Sequence, residues 1–152
     1  MKNLKKLATF CCFMLIAFSA LTLSSCKKDD GGELTPKAII TSRQWSMPDA
    51  DMPTIIDIDY SSKGNVIMAM FYEQLAMKQT MPITSFTEGD FDGYQFMLST
   101  PSSLIGNAYI KVIDENTITI KTTKMSEPFT LIRVEEKVDL SKAQEVNFED
   151  LM

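Results

Sequence analysis

TIIDIDYSSKGNVIMAMFY, residues 54–72, decides the fold class. Ile56, Ile58 and Tyr60 alternate with Asp57 and Asp59, the period of a strand with one buried face. Ser61-Ser62-Lys63-Gly64 then reads as a turn, with Gly64 free to take a positive φ. Val66, Met68, Met70 and Tyr72 follow on one face, and Ile67, Ala69 and Phe71 on the other. That second strand is apolar on both sides, so both of its faces need cover.

The same period extends outward in both directions. Gln44–Met47 gives a short strand around Trp45, and Gln79–Thr87 a strand bent at Pro82. Glu88–Gly93 reads as a turn, followed by alternation of Tyr94, Phe96 and Leu98 with Gln95, Met97 and Ser99. Thr100-Pro101-Ser102-Ser103 interrupts the pattern. Ala108–Ile113, Thr117–Thr122 and Phe129–Val134 complete a set of about eight strands. The connections are short, and short connections exclude a parallel sheet, which needs long crossovers. The expectation is an all-β domain, residues 38–135, built as a small antiparallel up-and-down β-barrel, with a two-sheet sandwich as the other economical solution. Residues 136–152 form a tail. Its Ser141-Lys142-Ala143-Gln144 has a capping-box pattern and predicts a short C-terminal helix.

The first 26 residues differ from the rest. Lys2, Lys5 and Lys6 precede an uncharged apolar run, Leu7–Leu23, and then Leu23-Ser24-Ser25-Cys26. A basic start, an apolar run and small residues define a secretory signal, here residues 1–25. The last four residues resemble the lipobox of bacterial lipoproteins, which signal peptidase II cuts before the cysteine. The resemblance implies a diacylglyceryl group and an N-acyl chain on Cys26, and no other cofactor. Residues 26–37, rich in charge and glycine, are the expected flexible tether. Lys28-Asp29-Asp30 resembles the surface-export signal of Bacteroidota lipoproteins, which implies an outer-membrane protein on the cell surface or the periplasmic face. The chain from Cys26 onward carries 12 basic and 20 acidic groups, a net −8. That balance excludes a general nucleic-acid binder and keeps the domain off anionic headgroups.

There is no His in the chain, which removes the commonest general base and the usual zinc ligand. Asp49 with Asp51, and Asp57 with Asp59, are paired carboxylates without a partner nucleophile or oxyanion donors, and read as solvated acids. Glu88-Gly89-Asp90-Phe91-Asp92-Gly93 has the acid spacing of an EF-hand start. However, Glu88 stands where Asp opens such a loop and Ser99 where its last carboxylate belongs. A hairpin turn is the expectation there, and no metal. An enzyme is not expected.

An opening Trp strand, the Gly-centred turn and the closing pair Asn116–Ile120 and Phe129–Val134 resemble the small lipocalin-like (calycin) lipoproteins of Bacteroidota, over residues 40–134. The resemblance implies that Arg133 of the last strand lies over the ring of Trp45 and closes the barrel floor; the residues read equally well as a large core Trp45 and a surface Arg133. Arg43 occupies the place of the glycine in the Gly-x-Trp unit, a departure from that pattern. Nine methionines follow the signal, and methionine fills irregular or adaptable apolar space. Met68, Met70, Phe96 and Met97 are the candidate lining of a ligand cavity. Two outcomes stay open: a hollow barrel that binds a small apolar ligand, or a filled one that docks an envelope protein partner.

Overall fold

A computed structural model describes residues 33–60 and 64–151. Cys26 and Lys28-Asp29-Asp30, with the rest of the signal and most of the tether, lie outside the described residues. Thr35–Met152 is a compact unit of its own. It opens with a short helix, α1 (Pro36–Thr41), before the predicted domain start at Ala38. Thr35 caps it, its hydroxyl accepting from the Ala38 amide at 3.2 Å, and Pro36 sits where no amide donor is needed.

Ten strands follow: β1 (Gln44–Ser46), β2 (Thr54–Asp59), β3 (Asn65–Tyr72), β4 (Leu75–Pro82), β5 (Ser85–Phe91), β6 (Tyr94–Ser99), β7 (Asn107–Asp114), β8 (Thr117–Thr122), β9 (Phe129–Arg133) and β10 (Gln144–Glu145). They form one sheet in the order β10-β4-β3-β2-β1-β9-β8-β7-β6-β5. All pairs are antiparallel except β10 with β4. The all-β expectation holds, but the sheet is not closed into a ring of eight, because no ladder joins β4 to β5. What joins them is the chain itself. At the predicted bend by Pro82, the Ile83 amide donates to the Gly64 carbonyl at 2.8 Å, beside β3. The Thr84 amide donates to the Ser99 carbonyl at 2.9 Å, beside β6. One bent segment thus serves two halves of the sheet, where the sequence suggested a single strand.

The turns show two glycine uses. Asp92 and Gly93 both have positive φ, 57° and 85°, the two-residue connection that matches the twist of a hairpin. The strand β5 therefore runs to Phe91, further than predicted. At Gly64 the need is close approach: a Cβ there would lie 2.9 Å from the Asp59 carbonyl.

The sheet curls so that side chains from both halves meet. Trp45, Ile58, Val66, Met81, Phe96, Ile110, Ile118 and Leu131 share one core with Ile39 and Ile40 of α1. As predicted, β3 is covered on both faces. Its outer face, with Ala69 buried, packs with Ile55 against Leu140 and Val138 of the tail in a second, smaller core. The tail is not a helix at Ser141. It runs over that outer face, pairs as β10 with Met77 and Lys78, and ends in a 3-10 turn, Phe148–Leu151. Among the described residues no helix is long and apolar enough to cross a membrane.

Candidate functional site: an apolar cavity under the curled sheet

One end of the curl is filled. Trp45 is fully buried, and its indole Nε1 donates to the Ile40 carbonyl at 3.0 Å, fixing α1 across the opening. Lys37 Nζ stands 4.4 Å from the Tyr60 ring centroid and 5.4 Å from that of Phe86. Phe86 in turn stacks on Phe96 at 5.4 Å. These contacts tie the end of β2 to β5 and β6 across the curl. Trp45 and Arg133 are direct partners in the β1–β9 ladder. Arg133 is exposed and donates to Asn116 Oδ1 at 3.5 Å, and the cation over aromatic rings at this end is Lys37. Trp45 is held through its indole nitrogen instead. Arg43, in place of the glycine, donates to the Glu115 carbonyl and so fastens β1 to the β7–β8 turn.

The other end is hollow. A cavity of about 570 Å³ lies between β2, β3 and β4 on one side and β6, β7 and β8 on the other. Ile56, Ile58, Val66, Met68 and Met70 form one wall, and Leu98, Ala108, Ile110 and Ile120 the facing one. Met47, Met52, Met77 and Met125 complete a lining in which six side chains are thioethers. Thr122 is the single hydroxyl in the lining, and its Oγ1 accepts from the Lys124 amide at 3.3 Å. No charged residue lines the cavity. Met52, Met125 and Leu151 line it and are also 37%, 48% and 62% exposed. They mark its mouth, ringed by the β1–β2, β6–β7 and β8–β9 loops and the end of the tail.

The candidate lining therefore splits. Met68 and Met70 do face the cavity. Phe96 belongs to the packed end, almost wholly buried in the core. Met97, its neighbour in β6, is half-buried and is not part of the lining. Adjacent strand residues point to opposite faces, so Phe96 and Met97 never could share one surface.

The tail supplies what the sequence reading missed. From β10 it runs along β4. The Thr80 amide and hydroxyl donate to Glu145 at 2.6 and 3.1 Å, and the Phe148 amide donates to Gln79 Oε1 at 3.1 Å. It then crosses to the β6–β7 loop, where Glu149 Oε1 accepts from the Ser103 amide at 2.8 Å and the Ser102 hydroxyl at 3.2 Å. Hydrogen bonds from the Ser103 side chain and backbone hold the Glu149 carboxyl below its usual pKa. The strap spans the seam that the missing β4–β5 ladder leaves, with Phe148 and Leu151 turned into the cavity.

Elsewhere the acid motifs behave as polar surface. Asp57 accepts from Gln44 Nε2 at 3.0 Å on the outer side of the sheet. Asp90 Oδ1 accepts from the Gly93 amide at 3.1 Å within its hairpin. Among the described residues, no three His, Cys, Asp or Glu side chains come together in a way that would hold a metal ion. Comparison with protein-family models, with curated proteins and with solved structures finds no match.

Proposed function

We propose that this protein is an acylated, non-enzymatic envelope lipoprotein whose curled sheet acts as a lipocalin-like barrel and binds a small apolar ligand. The cavity carries this reading. Its volume falls in the range of roughly 300–1,000 Å³ typical of small-molecule sites. Its walls offer apolar contact and no charge, so they suit a hydrocarbon-like body. The six thioethers can adapt to more than one ligand shape.

Energetics favours an occupant. Left empty, such a cavity forfeits the packing contacts of its lining. A mouth open to solvent lets water in instead, and that keeps a large apolar surface wet. A ligand removes either cost. The hollow end also favours ligand binding over the alternative of a filled barrel that only docks a partner. Anchoring rests on the sequence of residues 1–30, and the acidic balance of the domain fits a module held clear of the bilayer.

Native mass spectrometry of the chain from Lys27 onward, with dodecan-1-ol as the probe, tests the binding. We expect a 1:1 complex. Ala108→Phe places a ring where Ala108 faces the cavity, and Met68→Trp does so from the opposite wall. Each should abolish the complex while thermal denaturation shows a folded protein. No complex with the parent chain, or undiminished binding by both folded variants, would overturn the reading.

A further inference from the structure

We propose that the ligand is an amphiphilic cation, its apolar body in the cavity and its positive head at the mouth; this rests on the cavity being the binding site. The lining has no charged side chain, so a ligand's polar head cannot be neutralised inside. Burying an unpaired charge there is costly, and the head must stay at the rim. The rim is therefore what selects its sign.

The segments that ring the mouth are one-sided in charge. The β1–β2 loop, which carries the lining residues Met47 and Met52, holds Asp49 and Asp51. The β8–β9 loop holds Glu127 next to the lining residues Met125 and Phe129, and the strap holds Glu149 and Asp150 between Phe148 and Leu151. Lys124 is the one basic residue in these segments, and the β6–β7 loop has no charge. Lys78, adjacent to the lining residue Met77, is turned away: its Nζ donates to the Leu140 carbonyl at 2.9 Å on the outer face. The acids come from three separate segments that flank the opening, and among the described residues they do not form a chelating group. They act as a field over the mouth, which raises the local concentration of cations and repels carboxylate heads. A fatty-acid anion of the same chain length would meet the five acids and one lysine of these segments.

Three probes with the same chain separate the outcomes: dodecyltrimethylammonium, dodecanoate and dodecan-1-ol, each titrated below its micellar concentration into the chain from Lys27 onward by isothermal calorimetry. At low salt and neutral pH the cation should bind at least about tenfold more tightly than dodecanoate. That ratio should shrink toward one at about 0.5 M salt, where exposed charges are screened. The combined Asp49→Asn, Asp51→Asn and Glu127→Gln variant should lower the ratio by at least about threefold and leave dodecan-1-ol affinity unchanged. If dodecanoate binds as tightly as the cation, or the variant leaves the ratio untouched, the charge selection is overturned while dodecan-1-ol binding keeps the cavity reading. If none of the three binds, the cavity reading itself falls, and this inference with it.

Discussion

At the residue scale, Trp45 shows what a single side chain contributes here. It buries the largest apolar surface at the closed end and spends its one polar atom on the Ile40 carbonyl, in a setting with no water to substitute. Trp45→Phe keeps most of the packing but leaves that carbonyl without its donor, and should cost about 1–3 kcal/mol. Trp45→Ala adds a large cavity and should cost about 3–5 kcal/mol. Urea denaturation of both variants checks the order; a Phe variant as stable as the parent would show that the indole bond contributes nothing. That Trp45 is a core residue and Arg133 a surface one was one of the two readings the sequence left open. The partner of the indole nitrogen was not legible, because α1 is six residues long and carries no helical periodicity to announce it. The same limit explains the lining. Alternation assigns Met68 and Met70 to one face, but the half-filled core that separates Phe96 from the hollow end depends on contacts far apart in sequence.

At the scale of elements, the tail decides how an unclosed sheet is completed. β4 would present unpaired backbone groups along its free side, an invitation to pair with another chain. β10, Glu145 and the Asn147–Gln79 contact at 3.2 Å occupy part of that side. The strands of the sheet were legible because each repeats a local period. The tail was not, since two residues of β10 have no period of their own, and the Ser141 pattern that suggests a helix cap is used differently: the Ser141 amide donates to Asp139 Oδ1 at 2.9 Å. The far end of the strap is sensitive to acid. The folded state lowers the Glu149 pKa from 4.5, so the folded protein binds this proton less readily than the unfolded chain. Its contribution is present above 4.5 and is lost as the pH falls through the lowered value. In an NMR titration the Ser103 amide should follow a transition with its midpoint below 4.5. Glu149→Gln should remove that transition. A Ser103 signal that titrates unchanged in the variant would show that some other group holds the loop.

At the scale of the whole molecule, the fold and the proposed anchor solve different problems. The compact unit leaves Tyr72, Leu75, Ile113 and Ile132 exposed, but it carries a surplus of acids, which anionic headgroups repel. On the proposed lipoprotein reading, attachment comes from outside the unit, through acyl chains on Cys26. One acyl chain, at about 0.8 kcal/mol per buried methylene, holds a protein only marginally, whereas two or three chains on one cysteine hold it stably. Cys26→Ala should therefore abolish incorporation of labelled palmitate and, because signal peptidase II no longer cuts before residue 26, leave a precursor that keeps residues 1–25. If the parent chain takes up no palmitate, or its intact mass shows that it keeps residues 1–25, the apolar run 7–23 is an uncleaved anchor and the lipoprotein reading is wrong, while the ligand cavity stands unaffected.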